Sequence, residues 1–427
     1  MRGSSERVLR VTSSSHFLAF STFLLFYLAA IVYFRWTSFR DPSSVFFDPS
    51  RGFDRIYSAF RQDQADAFIA NVDPSGYGVA YAGQSPSICI GIASVQRKGA
   101  RYFNSAVGSL LQGLSDEQRR DLHLTLFLAH TNSSTHMAHN EDWFNVLPDE
   151  RLTYDNLTPG AIDHLRELEN NKGYTEKPLF DYVHLLKSCY LSHTPWIMML
   201  EDDVLAMDGW YHRTKQAIFE LEQRRDFERS VYLRLFYTEQ FFGWNSEEWP
   251  SYLFWSIVTA GATFAAIYAV RKYYPASTPF LTSSTNLAIL FVCLPMTIGL
   301  YFAAGRTTVS PLRHGLQHMD NFGCCSQAFV FPRHAIAGLI DYYEMRHDGY
   351  IDMMTETYSE INKLQRWALV PSVFQHVGSK SSKGDDMDHA SWGRAVAANI
   401  WNYEYELYNP VKIEREKARI DQITHGA

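Results

Sequence analysis

Glu201-Asp202-Asp203 is the tripeptide with the plainest chemistry in this chain. It directly follows Trp196-Ile197-Met198-Met199-Leu200, an apolar run that reads as a buried strand. Three carboxylates at a strand end repel one another unless a cation or hydrogen-bond donors offset them. A hard divalent ion suits such a place, because Mg²⁺ or Mn²⁺ takes one or two carboxylates and completes its shell with substrate phosphate oxygens. The competing reading is a solvated acidic turn ahead of a helix near Trp210. A second group lies far along the chain. The stretch Pro371-Ser372-Val373-Phe374-Gln375-His376-Val377-Gly378 runs into Ser379-Lys380-Ser381-Ser382-Lys383, a loop whose hydroxyls and amines suit phosphate oxygens. Just before it, Gly349 to Glu356 opens a helix. Asp352 at its start is either a helix cap or a reactive carboxylate, and Glu356 follows one turn later.

These residues need a frame. From Ser87 the pattern alternates strands with helices: Ile88 to Val95, a helical Tyr102 to Leu114, a strand from Leu122 to Ala129, a helical Asp181 to Leu191, then the strand at Trp196. Gly323 to Pro332 reads as a further strand. Such alternation predicts an α/β fold with a mostly parallel sheet and helices on both faces. Sheets of this kind bind ligands beyond the carboxyl ends of their strands, which is where Ser94, Arg97 and the acidic tripeptide fall.

Composition bounds the class. The 427 residues include 46% apolar and 20% charged residues and carry a net charge of −7. That excludes a disordered tail or a small disulfide-stapled module and argues against a nucleic-acid partner. Three apolar runs, Phe17–Phe34, Tyr252–Val270 and Leu287–Ala304, are each long enough to cross a bilayer. A cleaved signal peptide is the rival for the first, but bulky Tyr33, Phe34, Arg35 and Trp36 stand where small cleavage-site residues belong. Buried core helices are the rival for the others, but neither has a polar stripe. Pro295 is tolerable in a span because neighbouring groups can satisfy the freed carbonyl. Arg2, Arg7 and Arg10 place the N-terminus in the cytosol, and Arg271 and Lys272 place the tip of the hairpin there too.

The expected organisation is therefore a cytosolic tail (1–16), a transmembrane anchor (17–34) and a stem (35–85) with an amphipathic helix near Arg55–Phe68. A lumenal domain then comes in two halves (86–251 and 305–427), split by a transmembrane hairpin (252–270 and 287–304). Asn132-Ser133-Ser134 and Asn156-Leu157-Thr158 are candidate glycosylation acceptors. Cys89, Cys189, Cys324 and Cys325 allow three pairings. A bond between the adjacent Cys324 and Cys325 would be strained, so each is expected to reach a distant partner or stay a thiol.

Together these motifs resemble a lumenal glycosyltransferase of the GT-A type. The acidic tripeptide is similar to that fold's metal motif. PSVFQHVGSKSSKG is similar to the C-terminal motif of the N-acetylglucosaminyltransferase IV family, and Ile92-Ala93-Ser94-Val95-Gln96-Arg97 to that group's first-strand motif. The tandem transmembrane insertion narrows the resemblance to the post-GPI-attachment to proteins factor 4 family, over about Phe17 to Gly384.

The resemblance implies a multi-pass Golgi enzyme with its catalytic domain in the lumen. It would transfer N-acetylgalactosamine from UDP-GalNAc to the first mannose of a GPI-anchored acceptor, with inversion and with Mn²⁺ or Mg²⁺. It also implies Asp203 and His376 as metal ligands, and Glu201 and Asp202 on ribose or metal-bound water. Ser94 and Arg97 fall at the uridine, Lys380, Ser381 and Ser382 at phosphate, and Asp352 as base with Glu356 in reserve. Two alternatives remain: an N-acetylglucosaminyl- or galactosyltransferase acting on N-glycans, and a membrane adaptor on a degenerate transferase fold.

Overall fold

Ile88–Ser94 forms β1, and Ile88, Ile90 and Ile92 are wholly buried. A strand covered on both faces reads as such a continuous apolar run, and each buried Ile contributes about 1.5–3 kcal/mol. The other strands are β2 (Leu122–Leu128), β3 (Glu150–Leu152), β4 (Trp196–Glu201), β5 (Val204–Ala206), β6 (Ser230–Arg234), β7 (Gly315–His318), β8 (Ala328–Pro332), β9 (Gln365–Val370) and β10 (Phe374–His376). This is a computed structural model, and it describes residues 2–73, 85–97, 99–171, 173, 175–319, 324–380 and 396–425.

Among the described residues eight strands make one sheet in the order β3-β2-β1-β4-β8-β6-β9-β7, and β5 pairs with β10. The pairs β1–β2, β1–β4, β2–β3 and β6–β9 are parallel, while β8 runs antiparallel to both β4 and β6. Ser94 stands opposite Leu128, and Ala93 opposite Glu201. The carboxyl ends of β1, β2 and β4 therefore finish side by side. The mixed α/β architecture with a mostly parallel sheet agrees with the sequence reading. The strand read at Gly323–Pro332 is shorter, beginning at Ala328, and Gly323 itself lies outside the described residues.

The chain divides into two units, one of residues up to Phe53 plus Glu239–Leu312, the other Asp54–Thr238 plus Arg313–Ala427. The sheet belongs to the second and takes β1–β4 and β6 from one chain segment and β7–β9 from the other. Pairing of β4 with β8 and of β5 with β10 joins the two segments through backbone hydrogen bonds. The helix expected in the stem is observed at Tyr57–Ala70, and it is part of this second unit rather than a stalk. Its Arg61 is fully buried and donates to the carbonyls of Ala206 (3.0 Å) and Ser109 (2.9 Å). Only a glycine at 108 lets that helix meet Phe103–Leu111 so closely, since a Cβ there would run into the backbone of Ala65.

Two disulfides form, and one corrects the sequence reading. Cys89 on β1 bonds Cys189 on the helix Glu176–Leu191, with Cα atoms 5.5 Å apart. Cys324 bonds its neighbour Cys325 instead of a distant partner. The bridge is possible because Cys325 takes φ +89°, a left-handed conformation that brings adjacent side chains together. Arg234 Nη1 donates to the carbonyls of both cysteines and holds that turn. The Cys89–Cys189 pair is wholly buried, and Cys293 stays a free thiol.

Among the described residues of the first unit, three helices are long and apolar enough to cross a membrane: His16–Thr37, Ser246–Tyr273 and Ser283–Ala303. The apolar windows of the first two have none of their residues buried within the protein, and the third has 6%. Core helices would not leave such surface bare, so the rival reading as core fails. The third limb is not a uniform helix. A π-helical turn at Ile289–Cys293 precedes Leu294–Ala303, one turn before the missing N–H of Pro295. Trp244, Tyr252, Tyr301 and Phe302 pack together at the end away from the hairpin tip, as aromatic residues do at a membrane surface.

Candidate active site

Asp202 and Asp203 follow β4 directly and are only 4% and 5% exposed, which excludes a solvated acidic turn. Their three neighbouring carboxylates part company because successive side chains leave the strand in different directions. Asp202 faces β1. It accepts from Ser94 Oγ at 2.5 Å and from Arg97 Nη1 at 2.6 Å. Arg97 Nη2 also reaches Asp203 Oδ2 at 3.3 Å. Asp203 faces β10, where its Oδ2 lies 3.4 Å from His376 Nε2. Glu201 faces the turn before β8, accepting from Ser326 Oγ at 2.6 Å and Gln327 Nε2 at 3.3 Å.

The electrostatics follow from these partners. Burial alone would raise the carboxyl of Asp203, but the His376 charge beside it wins and holds it down at about 2. Burial alone would discharge His376, and the charges of Asp203 and Glu201 outweigh it and raise its pKa. Glu201 goes the other way: burial and the charge of Asp203 raise it, with Asp352 adding to the effect. The imidazole is oriented by its second nitrogen, since Nδ1 lies 3.0 Å from the carbonyl of Ile400. That contact leaves Nε2 turned to Asp203.

The motif around His376 is built residue by residue. Ser372 Oγ donates to the carbonyls of Leu235 (2.8 Å) and Phe374 (2.6 Å). Phe374 enters the core, and Gln375 is clamped by Asn402 and Glu406. The backbone N–H of Val377 donates to the Asp203 carbonyl at 2.9 Å. At Gly378 a Cβ would collide with the Asp203 carboxylate and with His376 Nε2.

A cation fits this cradle on two observations. Asp203 Oδ1 is buried without a hydrogen-bond partner, and Gly378 keeps the space beside Asp203 Oδ2 and His376 Nε2 clear of side chain. Among the described residues no group of three or more His, Cys, Asp or Glu forms a complete cage. One carboxylate and one imidazole completed by phosphate oxygens is the arrangement such an ion accepts.

Beyond Asp202 lies a cleft lined by Ser94, Gln96, Arg97, Tyr102, His136 and others. His136 Nδ1 accepts from Ala138 N–H at 3.1 Å, so its Nε2 carries the proton and donates to Ser94 Oγ at 3.1 Å. A relay therefore runs from Ala138 through His136 and Ser94 to Asp202. Tyr102 stands under Arg97, 5.5 Å from ring centre to guanidinium, and its hydroxyl accepts from Ser379 N–H at 3.1 Å. It ties the loop after β10 to the loop after β1. Lys380 is exposed, and its amine would be 3.3 Å from a Cβ at Gly99. Ser381 and Ser382 lie outside the described residues.

The two second-half carboxylates differ sharply. Asp352 is not the residue before the helix Ile351–Ile361 but lies within its first turn. Its Oδ1 accepts from Met353 N–H at 2.9 Å and its Oδ2 from Cys325 N–H at 3.0 Å. Because Ser326 of the same turn holds Glu201, the Cys324–Gln327 turn brings Asp352 beside the acidic tripeptide. Glu356 is gripped on both oxygens, by Arg234 (2.7 Å) with Tyr232 and by Arg366 (2.7 Å). Proton transfer to Glu356 would have to break those ion pairs, so the geometry makes it a brace.

Sequence reasoning did not single out His136, Tyr102, Ser326 or Gly378. His136 comes well after β2, beyond the turn Ser133–Thr135, and no local signal marks it. Tyr102 and Ser326 carry no signal of their own, since only folding brings them to the site.

Comparison with protein families finds that a model described as GPI-N-acetylgalactosamine transferase PGAP4 matches residues 88–375. Comparison with curated proteins finds no match.

Proposed function

The chain belongs to the GPI-N-acetylgalactosamine transferase PGAP4 family, and on that premise we propose that it transfers N-acetylgalactosamine from UDP-GalNAc to the first mannose of a GPI anchor, inverting the anomeric centre. It is a glycosyltransferase with membrane-spanning helices. The observation that carries the site reading is the Asp203–His376 pair, buried where the strands end and left with an unpartnered carboxylate oxygen.

In this reading Asp203 and His376 hold Mn²⁺ or Mg²⁺. The bound ion would offset the charge of the departing nucleoside diphosphate. Asp202, fixed by Ser94 and His136, receives the ribose, and Arg97 and Ser94 border the uridine. Lys380, Ser381 and Ser382 reach the phosphates, and Glu201 orders water around the ion. Asp352 accepts the mannose hydroxyl proton as that oxygen attacks the anomeric carbon and UDP leaves. Glu356 keeps Arg234, and through it the Cys324–Cys325 turn, in place behind Asp352.

The proposed setting is the Golgi membrane, with the N-terminus and the hairpin tip cytosolic and the sheet unit in the lumen. Three chain crossings, after Phe53, Thr238 and Leu312, connect that unit to the spans. Tethering of this kind raises the effective concentration of an acceptor that is itself bound to lipid. A soluble-glycan transferase gains nothing from it, and a degenerate adaptor would have no use for an intact metal pair.

The test is a donor screen with the purified full-length protein and a GPI-glycan acceptor. Transfer from UDP-GalNAc, at least tenfold faster than from UDP-Gal or UDP-GlcNAc and lost on chelation, is expected. Preference for either other donor would overturn the assignment of the sugar, and activity on N-glycans alone would overturn the acceptor.

A further inference from the structure

The hairpin holds a cleft unrelated to the transferase site. It has a volume of about 540 Å³ and is lined by Phe264, Ile267, Tyr268 and Leu290 along its length and by Arg271, Lys272, Thr278 and Asn286 towards the tip. The lining changes from apolar to cationic along the direction in which the helices cross the bilayer. A head group bearing negative charge, attached to a hydrocarbon chain, has that same profile.

Four further observations bear on an occupant. Among the described residues neither Arg271 nor Lys272 makes an ion pair with a carboxylate. The Lys272 ammonium lies 5.5 Å from the Tyr273 ring centre and 6.0 Å from that of Tyr268, a weak attraction that holds the charge in place without neutralising it. The side-chain oxygen of Asn286 is buried without a hydrogen-bond partner, although its helix packs nearby groups through Thr282, Thr285 and His16. Finally, Leu290 lies in the π-helical turn, where the backbone departs from α-helical packing.

We infer that this cleft is a binding site for one anionic glycerophospholipid of the leaflet around the hairpin tip. Its phosphodiester would meet Arg271 and Lys272, a glycerol or head-group hydroxyl would donate to Asn286, and an acyl chain would lie along Phe264, Ile267 and Leu290. Basic pockets between spans recognise such head groups, and basic residues near a charged membrane face attract them. The leaflet rests on the orientation proposed above, but the lipid chemistry does not.

The experiment uses full-length protein in detergent and native mass spectrometry, with phosphatidylserine and phosphatidylcholine of matched acyl chains at equal mole fraction. Wild-type protein should retain phosphatidylserine over phosphatidylcholine by about tenfold or more, the scale two basic side chains supply. Arg271→Gln/Lys272→Gln should bring the ratio near one, and the charge-conserving Arg271→Lys/Lys272→Arg should keep it. Asn286→Leu should reduce it severalfold. Arg35→Gln/Arg40→Gln, at the other end of the first span, should leave it unchanged. UDP affinity equal to wild type checks that each variant is folded. The proposal fails if wild type shows no preference, if the 271/272 variant retains it, or if the 35/40 variant abolishes it equally. Competition by millimolar inorganic phosphate would overturn it as well, by reducing the cleft to a bare anion site.

Discussion

A carboxylate oxygen buried without a donor is unfavourable unless something arrives to use it, and Asp203 Oδ1 is such an atom. Asp203→Asn keeps the shape and removes the charge. It should lose transfer to below detection while near-wild-type melting shows that the fold survives. Retained turnover would remove Asp203 from the metal role. Asp352→Asn separates chemistry from binding: its single amide oxygen can still accept from Cys325 or from Met353, which the carboxylate holds on separate oxygens, but it cannot take up a proton as a base. Turnover should fall by about 10²–10⁴ with UDP affinity unchanged. A third consequence concerns pH. Burial first, and then the neighbouring His130, push His136 down to about 4 from an ordinary 6.5. Between those values the unfolded chain binds the extra proton, so stability falls as pH drops from 6.5 towards 4 and is unaffected above. The loss is about 1–3 kcal/mol. UDP binding should weaken only as pH nears 4, where His136 of the folded protein takes up its proton and can no longer accept from Ala138. His136→Gln should flatten both profiles, and an unchanged acid limb in that variant would sink the relay.

Among the elements, the turn at Cys324–Gln327 has the most concentrated duties. Its backbone holds Asp352, its Ser326 holds Glu201, and its carbonyls are held by Arg234, itself wholly buried against Glu356. Opening the Cys324–Cys325 bond frees a left-handed residue to relax, and the carboxylates it positions move with it. Cys324→Ser/Cys325→Ser should therefore lower kcat by tenfold or more and leave UDP affinity intact. Mild thiol treatment of the wild type should mimic the variant reversibly, because Cys324 is half-buried while Cys89 and Cys189 are wholly buried. Wild-type kcat in the double variant would show that the turn is held by Arg234 alone. Cys89–Cys189 acts differently. It closes a loop of 100 residues between β1 and its covering helix, and removing it should cost about 2–5 kcal/mol of stability.

At the scale of the whole molecule, one sheet is assembled from two chain segments separated by membrane helices. That requires both segments to lie on the same side of the bilayer, and in the proposed orientation the arginines before the first span and Arg271 and Lys272 at the hairpin tip face the cytosol. A cysteine introduced at Ser283 should react with a membrane-impermeant reagent only from the cytosolic face. Labelling from the lumenal face alone would reverse the orientation and move the phospholipid cleft to the other leaflet without touching its chemistry.

Local pattern was enough to reach the α/β class, the three spans and the family, because strand burial, span length and motif spacing are written in consecutive residues. It also brought attention to the acidic tripeptide and to His376, whose residue types are unusual where they stand. What it could not reach were relations between distant residues. Glu201, Asp202 and Asp203 are neighbours in sequence and reach three different walls, since side chains diverge as the chain leaves the strand. Glu356 reads as a free carboxylate until Arg234 and Arg366, more than a hundred residues apart, close on it. The adjacent cysteines bond to each other because Arg234 stabilises a turn whose strain is visible locally but whose support is not. His136 and Tyr102 have ordinary surroundings in sequence, and only the closing of β1, β2 and β10 makes them part of a site.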